Sequence, residues 1–245
     1  MNVFDCIFNR RSTRSFKKDP VDDKLIGVML YSAIHAPSAG NTQEWNFVVV
    51  KDKSIREKLA NAALKQDFVA GAPVVIVVCV DKEKIAMHYG KRGESMYALQ
   101  DTAAATMNMM LAAEALGLST CWIGAFDEDI VGHILELPNE VRPVAIIPVG
   151  YSDESPLKPR RMPFENVTHV DTYGKKYDIA YAVQVEGGKE LKFKQLGNYL
   201  EDIVKEKLKE RERKIAKDVA KESKDTEKKE KTKSKISFAD FLRRL

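Results

Sequence analysis

The chain has 245 residues, 44% hydrophobic and 31% charged, a balance that suits one sizeable core and excludes a low-complexity or fibrous protein. Its net charge of +4 is uneven: residues 186–245 hold 19 Lys+Arg against 13 Asp+Glu, and the rest hold 21 against 23. The front of the chain is therefore no basic nucleic-acid surface, no run of about 18 apolar residues marks a membrane span, and MNVFDCIFNRR lacks a signal-peptide layout.

In chain order, VFDCIFNR reads as a short amphipathic helix carrying Val3, Phe4, Ile7 and Phe8 into RRSTRSF, residues 10–16. Asp22 is placed to cap a helix with Leu25, Ile26, Met29, Leu30 and Ala33, which stops before APSAGN at Pro37. WNFVVVKD is a buried strand, SIREKLANAAL a helix capped by Ser54, and APVVIVVCVD a second buried strand. ESMYALQDTAAATMNMMLAAEALG is a long helix, apolar nearly all round and ended by Gly117, suited to the middle of the fold or to a subunit interface. LSTCWIGAF, a helix from about Asp127 to Leu137, and RPVAIIPVGYS follow as strand, helix and strand. This alternation predicts an α/β or α+β sandwich.

After Gly187-Gly188 the composition changes. A thinning helical stripe runs over about 190–220, supported by the i,i+4 pairs Glu201/Lys205 and Glu210/Lys214. Residues 221–235 hold no large apolar side chain and read as flexible. ISFADFLRRL, residues 236–245, reads as a small amphipathic helix suited to docking a protein partner. The expected organisation is thus a domain over 1–185 and a charged extension over 186–245. Mixed charge argues against nucleic acid as the partner of that extension. Cys6, Cys79 and Cys121 are too widely spaced for a disulfide framework or a zinc pattern and read as packed, reduced thiols of a cytoplasmic protein. The four histidines show no metal-ligand spacing, so no metal is expected.

Four stretches carry chemistry. RRSTRSF gathers three guanidinium forks and three hydroxyls, a set that matches a phosphate as well as it matches a charged turn. HAPSAGNTQEW sets Ser38, Asn41 and Gln43 beside a sharp turn at Gly40. These are uncharged donors and acceptors able to read a heterocycle edge, or to build an Asx-rich turn. GLSTCWIGAFDE exposes backbone N–H groups where a strand breaks at Gly124. PLKPRR adds Lys158, Arg160 and Arg161 between prolines.

The order and spacing of RRSTRSF, PSAGNTQEW, GLSTCWIGAF and RPVAIIPVGYSDE…PRR resemble the flavin-dependent nitroreductase family over roughly residues 1–175. The resemblance implies an α+β fold, a three-layer sandwich whose mainly antiparallel sheet is flanked by helices. It implies an FMN-dependent NAD(P)H oxidoreductase that reduces a small organic acceptor by ping-pong hydride transfer through flavin N5, with a flavin-binding regulatory module as the alternative. It places Arg10 and Ser12 on the FMN phosphate with Arg11 nearby, and either Arg160 or Arg161 completing that clamp. Arg14 falls by the ribityl chain and pyrimidine ring, where its cation would stabilise the charge left by hydride transfer. The Pro37–Gln43 stretch, with Ser38, Asn41 and Gln43, matches flavin contacts that commonly come from the partner subunit of a homodimer. Backbone N–H groups around Ile123 and Gly124 match the donor to flavin N5. The family often has proline where this chain has Glu44, which bears on the local loop geometry. Asp101 reads as an exposed or capping acid rather than a catalyst.

Overall fold

Seven consecutive apolar residues, Val74–Val80, are each at most 2% exposed, and only a strand covered on both faces can keep such a run dry. In the computed structural model, which describes residues 2–176 and 202–217, that run is β2 (Val74–Asp81). β2 pairs antiparallel with β1 (Trp45–Val50) on one side and with β4 (Val141–Gly150) on the other, and β4 pairs antiparallel with the two-residue β3 (Ser119–Thr120). The order among the described residues is β1-β2-β4-β3.

Alternate residues of this sheet feed two separate cores. Val74, Ile76 and Val78 of β2, with Ala145, Ile147 and Val149 of β4, pack against α2 (Asp23–Ala33) and α6 (Ala98–Ala115). Val75, Val77, Cys79 and Ile146 face the opposite layer of α3 (Lys53–Ala62), α4 (Phe68–Gly71) and α7 (Glu128–Ile134). The expected three-layer α+β architecture is therefore the one observed. α1 (Val3–Asn9) begins in a reciprocal cap between Asn2 and Asp5 and packs against α6. Cys6, Cys79 and Cys121 are all free and buried.

Three local expectations are corrected. The cap of α3 is Asp52, whose carboxylate accepts from the Ile55 N–H at 2.9 Å, and not Ser54; the helix already begins at Lys53. The LSTCWIGAF strand shrinks to Ser119–Thr120, with one further bridge from Ile123 to Ile146. Pro148 explains the gap. Ile146 and Gly150 turn their backbone polar groups toward β3, so Pro148 between them would be the donor opposite Cys121, and proline has no N–H. The long helix does not run unbroken from Glu94: a π-helical turn at Gly93–Tyr97 joins α5 (Lys82–Arg92) to α6.

The chain divides into two compact units, Met1–Pro159 and Arg160–Leu245. In the second, residues 202–217 are helical, with ion pairs Lys205–Asp202 and Lys207–Glu210. Lys207 rather than Lys214 takes Glu210, and Glu201 lies outside the described residues. So do the expected boundary at 185/186, the flexible segment over 221–235 and the terminal helix over 236–245. No helix among the described residues is long and apolar enough to cross a membrane.

Candidate functional site

RRSTRSF runs along the β3 end of the sheet. The Thr13 N–H donates to the Thr120 carbonyl (3.0 Å) beside a parallel bridge from Ser12 to Thr120, and the Lys17 N–H donates to the Tyr151 carbonyl (2.8 Å). Glu154 organises the stretch from outside: its Oε2 accepts the N–H groups of Arg14 (2.8 Å) and Ser15 (2.9 Å). Those two amides are thereby committed to an internal carboxylate. Thr13 is buried, and the Ser15 carbonyl accepts from Ser152 Oγ (2.6 Å).

The three arginines differ. Arg11 folds back, its Nη1 donating to the carbonyls of Phe8 and Arg10 (both 2.8 Å), and so serves the end of α1. Arg14 lies over the Phe68 ring at 5.9 Å, which ties the stretch to α4 through a cation–π contact. Arg10 is the unusual one, because its Nη1 is buried without a hydrogen-bond partner among the described residues. Glu114 on α6 feels it only through the field: burial pushes the Glu114 carboxyl up, and Arg10 and Arg11 pull it back. Cys121 lies beneath the same cations. Burial raises its thiol, while Arg14, the Ser12 hydroxyl and Arg10 oppose that rise.

Ile123 and Gly124 are not equivalent. The Ile123 N–H donates to the Ile146 carbonyl at 3.0 Å and is committed to the sheet. The Gly124 N–H has no partner among the described residues, and a Cβ there would meet only Trp122 Nε1, at 3.7 Å. Neither crowding by the protein nor a positive φ explains a glycine at this position. A ligand approaching this exposed amide closely would require one. Gly124→Ala is therefore expected to leave the melting temperature of the apoprotein unchanged and to weaken flavin binding about tenfold, read by thermal unfolding and FMN titration.

The Pro37–Gln43 stretch forms a closed turn. Ser38 Oγ accepts the Gln43 N–H (3.1 Å), Asn41 Oδ1 accepts from Gln43 Nε2 (2.9 Å), and Lys84 Nζ donates to the Gln43 carbonyl (2.9 Å). Gly40 sits at φ +56° with the Tyr89 hydroxyl 2.4 Å from where a Cβ would stand, so the turn needs glycine for both conformation and space. Asp101 is buried, not exposed. Its Oδ2 accepts the Ala39 N–H at 2.8 Å, a capping role on the turn.

Two rulers place these groups. Trp45 pairs with Val80 and Val80 with Arg142, whereas Thr120 pairs with Val149, so the two stretches meet β4 seven residues apart, about 24 Å along an antiparallel strand. On α6, Ala39 is bonded to Asp101 while Arg10 and Arg11 face Glu114, thirteen residues or about 20 Å further along the helix. Within one chain RRSTRSF and Ser38–Gln43 stand at opposite ends of the sheet. RRSTRSF meets Thr120 and Phe68, with Gly124 four residues beyond Thr120; the Ser38–Gln43 turn does not join them. Arg160 and Arg161 are exposed at the start of the second unit.

Comparison with known proteins completes the picture. The nitroreductase family profile matches residues 7–66 and 62–151. The chain belongs to the nitroreductase family. A relative within it, the NADH dehydrogenase of Thermus thermophilus, is 33% identical over 185 residues, covering 64% of this chain and 90% of that protein. The FMN reductase [NAD(P)H] of Bacillus subtilis is 29% identical over 196 residues, covering 74% and 78%. Among solved structures, NfrA2 of B. megaterium superposes with a TM-score of 0.65 at 28% identity, covering 71% of this chain and 76% of that one. The family model and the first unit cover nearly the same residues, and Arg160 and Arg161 fall just beyond the matched segment.

Sequence reasoning missed Glu154, Phe68 and the burial of Glu44. Glu154 lies in an unpatterned loop and meets Arg14 only across 140 positions of sequence. Glu44 carried a signal, an acid directly ahead of a strand whose first residue, Trp45, is buried.

Proposed function

We propose that this nitroreductase holds FMN between two copies of the chain and uses NAD(P)H to reduce a small organic acceptor such as a nitroaromatic or a quinone. The observation that carries this is the buried, unpartnered Nη1 of Arg10. A buried donor on a guanidinium costs free energy unless an acceptor arrives, and a phosphate is the acceptor such a fork fits. The Gly124 N–H, without a partner among the described residues and with little in the way of a ligand, would supply a second, neutral contact.

A bound FMN would supply the hydride chemistry that links the nicotinamide to the acceptor. The protein binds and orients it. Arg10 and Ser12 hold the phosphate, Arg14 keeps a cation steadied by Phe68 beside the ring, and Gly124 offers its N–H without a side chain in the way. Ser38, Asn41 and Gln43 belong to the site of the other subunit, because their own RRSTRSF stretch lies about 20 Å away.

The exposed apolar side chains support a homodimer. Val3 and Ile7 on α1, Tyr31 and Ile34 on α2, and Leu99 and Met107 on α6 are all at least 37% exposed on helices that pack together. A large apolar face of this kind calls for cover, and a second copy supplies it.

The purified protein is expected to be yellow or to become so with FMN, and to bleach anaerobically with NADH or NADPH. Re-oxidation by a panel of nitroaromatics and quinones then identifies the acceptor. A flavin that stays yellow with both nicotinamides would leave a binding module, and failure to take up FMN at all would sink the proposal.

A further inference from the structure

Glu44 is the largest polar side chain with no exposure at all among the described residues. Its Oε1 is buried with no ordinary hydrogen-bond partner, and its Oε2 lies 2.6 Å from Thr42 Oγ1. Thr42 Oγ1 is also 2.9 Å from the Ala39 carbonyl, which can only accept. A hydroxyl has one proton. If Thr42 gives it to Ala39, Glu44 must be the donor in the 2.6 Å contact. If Thr42 gives it to Glu44, the Ala39 contact is unmade and Oε1 still faces the interior with nothing donating to it.

The second acid of the turn is on the facing helix. Asp101 accepts the Ala39 N–H at 2.8 Å, so both polar groups of Ala39 are tied to one or the other acid through at most one hydroxyl. Two ionised carboxylates cannot share such a dry space. Burial pushes the Glu44 carboxyl up; the Thr42 hydroxyl and Glu44's own backbone N–H pull it back, the neighbouring Asp101 adds to the rise, and the rise prevails. The other charges on the surrounding elements do not relieve it. Lys84 at the start of α5 is spent on the Gln43 carbonyl, Asp81 caps α5 through the Lys84 N–H, and Arg142 on β4 is paired with Glu128.

We infer that Glu44 is held as the neutral acid, sharing its proton with Asp101 and the Thr42 hydroxyl, and that this proton fixes the Ser38–Gln43 turn in its flavin-contacting shape. Glu44 is thus a positioning residue in the place where the family often carries proline. Proline sets the turn through the backbone; here a buried proton does so. The inference rests on the flavin reading of this turn. Its sign follows from linkage: the folded protein holds a proton that the unfolded chain releases in the ordinary carboxyl range. The stability it contributes is present in acid and is lost as the pH rises through the raised value.

Infrared spectra of the apoprotein, wild type against Glu44→Gln, test the proton directly, and FMN titration across about pH 5 to 9 tests the positioning. The wild type should show a protonated-carboxyl band at neutral pH that Glu44→Gln lacks. Glu44→Gln, whose amide donates to Asp101 and accepts from Thr42, should bind FMN within about threefold of wild type at neutral pH. Glu44→Asp, too short to span both partners, should bind at least about tenfold more weakly while its apoprotein still melts cooperatively. Wild-type affinity should track the acid band as the pH rises, and the Gln variant should not follow. Absence of the band at neutral pH, a band that fades with no change in FMN affinity, or a Gln variant as weak as the Asp variant overturns the inference. If the wild type takes up no FMN, the flavin reading falls instead, and the band still reports whether Glu44 carries the proton.

Discussion

Arg10→Ala is expected to weaken FMN binding by about ten- to a hundredfold, the equivalent of one charge-assisted hydrogen bond to phosphate. The same substitution should leave the apoprotein as stable as wild type or slightly more so. Both halves follow from one atom. The Arg10 Nη1 is buried and unpartnered, so the apoprotein already bears its desolvation and recovers that free energy when the group is removed. A purely structural arginine behaves oppositely, since its loss breaks bonds that the folded chain makes. Arg11, whose Nη1 donates to two carbonyls of its own segment, is such a residue. Fluorescence quenching of FMN gives the affinity and thermal unfolding without flavin gives the stability. A destabilised apoprotein with unchanged affinity would return Arg10 to the role of counter-ion for Glu114.

Two variants that each bind flavin weakly are expected to restore tight binding when mixed. Arg10→Ala damages the phosphate end. Gly40→Val damages the turn, because a β-branched residue at φ +56° is strained and its Cβ would fall 2.4 Å from the Tyr89 hydroxyl. The two positions stand about 20 Å apart along α6, so in a homodimer each flavin draws one from each subunit. A mixed dimer then has one site with both defects and one with neither. Random reassociation of equal amounts should return about a quarter of the wild-type flavin sites. A site built within one chain gives no recovery on mixing, and that result would dismiss the shared site. Both apoproteins must first melt as folded dimers, which separates loss of binding from loss of fold.

Much of this was legible along the chain, for reasons that can be named. Val74–Val80 announces a doubly covered strand because nothing else buries seven apolar side chains in succession. Asp22 caps α2, Asp127 caps α7 and Gly117 ends α6, because caps and stops are decided by the backbone bonds of a few neighbouring residues. The cationic and hydroxyl content of RRSTRSF was equally plain. Which of its arginines has a free donor was not. The end of α1 occupies Arg11, the ring of Phe68 engages Arg14, and neither partner is marked by sequence spacing. The same holds for Ile123 and Gly124. Adjacent residues look alike as donors until strand β4 claims one of them, and Pro148 decides where that strand stops pairing.

Residue types and their local periodicity were thus enough for an α/β or α+β sandwich, since that depends on spacings of two to four residues, while the family and its flavin followed from the resemblance carried by RRSTRSF, PSAGNTQEW, GLSTCWIGAF and PRR. Pairing across the sheet and burial decided the rest. The register of β1, β2 and β4 sends RRSTRSF and the Ser38–Gln43 turn to opposite ends of the sheet, which is why the proposed flavin site draws on a second copy. The closure of α6 over the 38–44 turn takes Glu44 and Asp101 out of water together. A carboxyl in water is an anion whatever its neighbours in sequence, and only the loss of that water makes its proton part of the structure.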